Sequence, residues 1–246
     1  MRSLSVIIPF HDRLDLLCRA VESIQLCWQQ CPGVDFEVVI ANDGDHSQGA
    51  IADALQDFDL LIKVVKNFGQ RGPGGARNAA IEQSAGEFLA FLDADDFWLP
   101  EKILKQMEAA KAGATFIVTG YSFEGRSNEV FPPASIDAAS DILVKRGIGT
   151  STVLLARALV EVERFANLRY AQDIDFWFRL AKSELFKYKA IHEVLCVYYP
   201  SGSTKNKFTQ LKFFGIVVER SGLPLWMRMK AYVSYILNGV YNHYIK

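Results

Sequence analysis

Phe88-Leu89-Ala90-Phe91-Leu92-Asp93-Ala94-Asp95-Asp96 is an apolar run that ends in three carboxylates within four residues. A run apolar at every position from Phe88 to Leu92 reads as a strand buried on both faces, as in a parallel sheet covered by helices. In such sheets ligands bind beyond the carboxyl ends of the strands, which is where these acids fall. One acid here could cap the helix that follows. Three repel one another, and carboxylates so placed suit a hard cation, which takes oxygen ligands from protein and phosphate together.

The same alternation extends on both sides of this run. Leu4–Ile8, Phe36–Ala41 and Leu60–Val65 read as strands. Leu14–Trp28, Gln48–Phe58, Pro73–Ser84 and Pro100–Ala112 read as helices, two of them with proline near the first turn. We therefore expect an α/β fold with a mostly parallel central sheet, helices on both faces and right-handed crossovers. The later part is less regular. Strands are expected at Thr115–Ser122, Ser151–Leu155, Phe186–Ala190 and Val194–Tyr199, with a short extended piece at Glu129–Pro133. Helices are expected over Arg157–Arg164 and Asp173–Lys182.

Polar residues gather where the early strands end: Pro9-Phe10-His11-Asp12, then Asn42-Asp43-Gly44-Asp45, then the glycine-rich stretch Gly69–Gly75, then Asp93–Asp96. Asp43 before Gly44 fits a turn and equally fits a carboxylate that accepts hydrogen bonds from a nucleobase. Arg77, one turn into the helix that follows the glycines, carries a fixed planar charge suited to phosphate or to a base face. The stretch is neither Gly-x-Gly-x-x-Gly nor a P-loop. Asp173 and Asp175 open an aromatic-rich helix. Acids there meet the helix dipole, and a carboxylate beside aromatic bulk is also where a general base would sit.

Composition narrows the class. The chain has 246 residues, half of them hydrophobic, and a net charge of −1, so no overall field draws it to nucleic acid. Of the four cysteines only Cys27 and Cys31 are close together, with no histidine near them, which argues for free thiols rather than zinc. Met1-Arg2-Ser3 leads straight into a strand, so no leader is expected, and nothing is long enough to span a membrane. A cytoplasmic chain is the expectation.

Taken together, the segments Ser5–Phe10, Val38–Gly44, Gly74–Asn78, Phe91–Asp96 and Gln172–Leu180 resemble the family 2 glycosyltransferases of GT-A fold, in that family's order and spacing, across roughly residues 3–204. The resemblance implies an inverting enzyme that moves a sugar from a nucleotide diphosphate donor, usually UDP, to a hydroxyl of a glycan or lipid-linked acceptor, as in surface polysaccharide synthesis. It implies Mn²⁺ or Mg²⁺ as cofactor. Pro9, Phe10 and Asp12 would line the base and ribose pocket, Asp43 would bond the base, and Arg77 would lie near the nucleotide. Asp93 and Ala94 would contact the nucleotide, Asp95 would ligate the metal, and Asp173 would be the base with Asp175 in support. The chain departs from the pattern at Asn42 and Gln172, where acids are usual. It also has no histidine between Val197 and Thr204, where relatives carry a metal ligand, and His192 reads as a packing residue. A nucleotidyltransferase would place a glycine-rich loop after the first strand, where this chain has Pro9–Arg13. A non-catalytic sugar-nucleotide scaffold is the remaining alternative.

Residues 205–246, set apart from the 1–204 transferase unit, carry seven Lys/Arg against one acid. Pro224–Tyr244 repeats apolar residues at helical spacing with Arg228 and Lys230 alongside. Such a helix can lie peripherally on the inner face of a membrane, pack on the catalytic body, or join a second subunit in a homo-oligomer.

Overall fold

The computed structural model describes residues 2–200 and 207–244, with side chains described for 3–200 and 209–237. The boundary expected at 204/205 lies outside the described residues, as do the side chains of Val240, Tyr241 and Tyr244 in the expected helical stripe.

Strands β1 (Arg2–Phe10), β2 (Val34–Asn42), β3 (Leu61–Lys66) and β4 (Phe88–Phe91) alternate with helices α1 (Leu14–Gln29), α2 (Gln48–Ala54) and α3 (Pro73–Glu82). They pair in parallel in the order β3-β2-β1-β4. β1, β2 and β4 are largely apolar on both faces because both faces are covered, whereas the edge strand β3, with Lys63 and Lys66, is only partly buried. Ile7, Val39, Leu89 and Phe91 pack with α3 in one core layer, while Val6, Ile8, Val38, Ile40 and Ala90 pack with α1 in the other.

Beyond β4 the expectation of a mostly parallel sheet is corrected: the sheet is mixed. The remaining elements are β5 (Phe97–Trp98), α4 (Lys102–Lys111), β6 (Phe116–Phe123), β7 (Glu129–Val130), α5 (Ala139–Val144), β8 (Val153–Ala156), α6 (Gln172–Leu180), β9 (Tyr188–Tyr198), α7 (Lys207–Arg220) and α8 (Leu225–Tyr244). Among the described residues one nine-stranded sheet runs β3-β2-β1-β4-β8-β6-β9-β5, with β7 beside β6. β8 is antiparallel to both β4 and β6, β5 is antiparallel to β9, and only β6 and β9 are parallel.

Two local expectations also change. Arg157–Val160 is a single 3-10 turn rather than a helix to Arg164. Arg157 turns its guanidinium onto the Gly86 carbonyl (2.5 Å) and the Ser84 hydroxyl (2.8 Å), tying the chain to the loop before β4. The two late strands are one, β9, whose register with β6 slips at Gly120, where the Glu193 carbonyl would crowd any Cβ. α5, α6, α7 and α8 contribute Leu143, Trp177, Phe214 and Ala231 to the same core layer as α3. α1, α2 and α4 cover the opposite face. No helix among the described residues is long and apolar enough to cross a membrane.

Candidate functional site

A cleft of about 730 Å³ opens at the carboxyl ends of β1, β2 and β4. Pro9, Phe10, Asp12, Asp43, Asp93, Ala94 and Asp95 all line it. The parallel strands explain this convergence, because β1, β2 and β4 all point to the same edge. Phe10 forms the floor and is 1% exposed.

Each carboxylate on the β1–β2 side is held by its own loop. Asp43 donates its N–H to the Phe10 carbonyl (2.7 Å), so β1 and β2 stay side by side as they leave the sheet. Its Oδ1 accepts from Asn67 Nδ2 and its Oδ2 from the Gly72 N–H, both at 2.7 Å. The glycine-rich stretch thus wraps the carboxylate, and the packed Gly75 leaves no room for a Cβ against the Gln70 carbonyl. Asp12 accepts from the Arg13 N–H (2.8 Å) and faces His46 Nε2 (3.2 Å). Those two contacts, the backbone one first, hold its pKa below the ordinary value.

The Asp93–Asp96 turn divides its acids between different tasks. Asp93 accepts from Arg77 Nη2 at 2.5 Å. Arg77 is only 4% exposed, and its guanidinium lies over the Phe165 ring, 5.4 Å from the centroid. It therefore stands behind Asp93 and does not line the cleft. Asp95 faces the cleft, with its backbone carbonyl 3.4 Å from Arg19 Nη2. Asp96 is buried and caps no helix, since α4 starts at Lys102 without a side-chain cap. Its Oδ2 accepts from Ser151 Oγ (2.6 Å) and its Oδ1 from the Tyr199 N–H (3.0 Å). Burial, reinforced by the neighbouring Asp93 charge, raises its pKa to about 8. Ser151 Oγ also accepts the Asp93 N–H (3.1 Å).

Asp173 does not line the cleft. It stands in the first turn of α6, preceded by Ala171 in the left-handed region (φ 56°). Arg13, which precedes α1 at the cleft, has φ 70°; these two are the non-glycine positive φ values among the described residues. Such conformations are uncommon outside glycine and persist where surrounding structure over-determines them. Asp173 is half-buried, and burial raises its pKa. The Ile174 N–H and the Arg77 charge pull it back, while Asp93 pushes it further up. Arg77 thus ion-pairs with Asp93, and its charge also favours the ionised form of Asp173. Asp175 is buried, its pKa is raised by burial, and it accepts from Arg179 Nε (3.0 Å).

Several neighbours were not read from the sequence. Tyr199 lines the cleft as β9 ends, and Ser151 pins the acidic turn. Arg146 lies with its guanidinium 4.4 Å from the Tyr235 centroid and 4.9 Å from that of Phe214, within the field of Asp173. No short-range motif marks Ser151 or Arg146. The position of Tyr199 was available, because it ends a strand at the ligand edge. His192 is exposed and stacks on Phe131 at 6.3 Å. Among the described residues no group of three or more His, Cys, Asp or Glu side chains is placed to hold a metal ion.

Comparison with known proteins agrees with this architecture. The chain is 27% identical over 250 residues to UDP-Glc:alpha-D-GlcNAc-diphosphoundecaprenol beta-1,3-glucosyltransferase WfgD of Escherichia coli, covering 97% of this chain and 94% of that one. It is 27% identical over 207 residues to GalNAc(5)-diNAcBac-PP-undecaprenol beta-1,3-glucosyltransferase of Campylobacter jejuni, covering 80% of this chain but 65% of that protein's length. In fold it matches S. aureus TarS in complex with UDP-GlcNAc, with a TM-score of 0.70 at 17% identity, over 99% of this chain and 73% of that one. It also matches a Pyrobaculum calidifontis mannosyltransferase in complex with GDP-Man and Mn²⁺, with a TM-score of 0.61 at 14% identity, over 98% and 75%. The model of glycosyl transferase family 2 matches residues 5–172, the span that carries every strand-end acid of the cleft, and the chain belongs to that family of nucleotide-sugar-dependent glycosyltransferases.

Proposed function

We propose that this chain transfers a sugar from a UDP-sugar, with inversion at the sugar carbon, to a hydroxyl of a lipid-linked glycan. Asp173 would serve as the base. The observation that carries this reading is the convergence of Asp12, Asp43, Asp93 and Asp95 on one cleft at the carboxyl edge of the parallel strands, with Asp173 in the first turn of α6 and its pKa raised by burial. A raised carboxyl pKa suits a base working near neutral pH. In the displacement the acceptor oxygen bonds to the sugar carbon as its proton passes to Asp173. The bond from that carbon to the diphosphate oxygen breaks, and the electron pair leaves with the nucleotide. Pro9, Phe10, Asp12 and Asp43 bind the base and ribose, Asp43 presenting a carboxylate already oriented by Asn67 and Gly72. Asp93 and Ala94 face the ribose and diphosphate. Arg77 orients Asp93 from behind.

The donor set fits a divalent cation of the Mg²⁺ or Mn²⁺ kind, which binds through one or two carboxylates and completes its shell with substrate phosphates and water. Asp95, which faces the cleft beside Asp93 and Ala94, is the carboxylate for it. Such an ion would neutralise charge on the departing diphosphate. Residues 1–204 form the transferase unit in this reading, and 205–246 form a helical extension. A cytoplasmic chain resting on the inner face of the membrane would meet a lipid-linked acceptor there, as the undecaprenol named for both relatives suggests.

The test is a thermal-shift panel of nucleotides and nucleotide sugars with and without Mn²⁺. A ligand at a hundred times its dissociation constant adds about 2.7 kcal/mol. A metal-dependent shift with UDP is expected, and Asp95→Ala should remove the metal response together with turnover. A GDP or dTDP shift instead would change the donor. No shift with any diphosphate, for folded protein, would favour a non-catalytic scaffold.

A further inference from the structure

The outer face of α8 has no role in the chemistry above. Leu225, Trp226, Met229, Val233, Ile236 and Leu237 are exposed, from 52% at Ile236 to 68% at Leu225. At 100° per residue these six fall within an arc of about 120° on the helix. The opposite side of α8 is already seated. Ala231 is 1% exposed, Tyr235 stacks on Phe214 of α7 with centroids 4.4 Å apart, and Ser234 Oγ donates to the Val144 carbonyl (2.5 Å). The exposed stripe is therefore not a face waiting to fold onto its own body. Beside it, α7 and α8 line a groove of about 550 Å³ with Leu211, Ile216 and Tyr232 together with Lys212, Glu219 and Arg220, and Glu219 is already paired with Arg228. Lys230 is exposed and flanks the stripe on α8.

Charge decides what covers this surface. Residues 205–246 carry seven Lys/Arg and one acid, a net +6, whereas residues 1–204 carry 20 Lys/Arg and 27 acids, a net −7. Two copies meeting through α8 would bring two positive segments together. An anionic lipid surface would attract this segment and repel the rest, which also sets the orientation.

We propose that the α7–α8 pair docks on an anionic bilayer, the Leu225–Leu237 stripe lying in the headgroup region and Lys212, Arg220 and Lys230 meeting lipid phosphates. This deepens the lipid-linked acceptor reading and rests on it for its purpose. The inner side of the same pair reaches the base: Phe214 and Tyr235 flank Arg146, and both Arg146 and Tyr235 feel the Asp173 charge. Docking through α8 would hold Asp173 near the lipid surface, where a tethered hydroxyl can reach it.

The test is co-sedimentation of the full chain with phosphatidylglycerol-containing vesicles and with pure phosphatidylcholine vesicles, at low and high salt. The wild type is expected to partition onto the anionic vesicles and to lose at least fivefold on neutral vesicles or at high salt. A variant with Trp226→Ser, Val233→Ser and Leu237→Ser should lose at least tenfold in partitioning while its UDP-induced thermal shift is unchanged. Lys212→Gln with Lys230→Gln should weaken partitioning on anionic vesicles only. No partitioning by the folded wild type, or equal partitioning by the triple serine variant, would overturn the proposal. A wild-type dimer that the triple serine variant dissociates would assign the stripe to a second copy and also overturn it. Vesicle binding without any nucleotide shift would sink the transferase mechanism and leave the docking surface standing.

Discussion

Strands β1–β4 and strands β6, β8 and β9 belong to one sheet but carry function in different ways. The first group is parallel, so every loop at its carboxyl edge delivers its residues to one cleft: Asp12, Asp43, Asp93 and Asp95 arrive there from three strand ends. The second group is mixed in direction and delivers its acids indirectly. Asp173 comes from a helix behind the sheet, where the Arg77 charge favours its ionised form. The strand-end cleft is thus assembled by topology alone, whereas the position of Asp173 depends on how a helix packs behind the sheet.

The largest expected effect separates these two halves. Asp173→Asn should lower the turnover rate by at least about a hundredfold, the usual worth of a general base, and leave UDP affinity as it was. Isothermal titration beside a single-turnover assay reads both. A parallel fall in UDP affinity would show that the halves are one site and the division is false. The pH profile sharpens the point. The base works only when deprotonated and burial raises its pKa, so the wild-type rate should fall with acidification at a higher pH than an exposed aspartate allows.

How far each half could be read from sequence follows the same division. β1, β2 and β4 were legible because Ile7, Val39, Leu89 and their neighbours along each strand are apolar, a pattern that a twice-covered strand explains. The cleft acids were legible because they follow those strands. β6 and β8 are equally apolar, yet an apolar run says that a strand is buried and not which way it points. The antiparallel return of β8 was therefore missed. β5 is two residues long, Phe97 and Trp98, too short for any periodicity. The Arg157 segment carried helical spacing but is held by its guanidinium to Gly86, a contact between residues far apart in sequence. Asp96 looked like a helix cap because Ser151 and Tyr199, its partners, lie more than fifty positions away.

The seam between the halves gives the next prediction. Lys102 is fully buried, its Nζ 2.8 Å from Gln106 Oε1 and 4.0 Å from the centre of the Trp98 ring. Gln106 Nε2 then donates to the Ile117 carbonyl of β6 (3.1 Å) and to Thr152 (2.9 Å), so one polar chain joins α4 to the second half. Burial lowers the Lys102 pKa from 10.5 to about 8. Between those values the unfolded chain holds a proton that the folded chain has released. Stability therefore rises with pH across the window and is lowest, on this account, below about pH 8. The rise attributable to Lys102 is at most roughly 3 kcal/mol. Lys102→Met, which carries no titrating group, should remove that rise. Urea unfolding of both proteins on either side of the window reads the difference, and identical slopes would break the assignment.

A smaller effect is expected at Ser151, whose hydroxyl accepts from the Asp93 N–H and donates to buried Asp96. Ser151→Ala leaves the Asp93 N–H and the Asp96 Oδ2 without this partner and should cost about 1–3 kcal/mol of stability. Because Asp93 faces the cleft, a weaker UDP shift in the presence of Mn²⁺ should accompany the loss. A stability loss with the UDP shift intact would confine Ser151 to the fold.

The smallest effect tests whether any contact across the seam will do. Lys105 of α4 pairs with Glu193 of β9 and with Glu101 (3.0 Å), so it too links the two groups of elements. All three side chains are substantially in solvent, and Glu193 and Glu101 are more than half exposed. Water and salt screen such pairs, and holding long side chains in place costs entropy, so exposed pairs contribute about 0–1 kcal/mol. Lys105→Ala should therefore leave the urea midpoint almost unchanged, and closer still at high salt. The Lys102 chain and the Lys105 pair both tie α4 to the second group of elements, and what differs is burial. A Lys105→Ala loss as large as that of Ser151→Ala would mean that the halves are held together by surface charge. The buried polar chain would then be a consequence of their packing rather than its support.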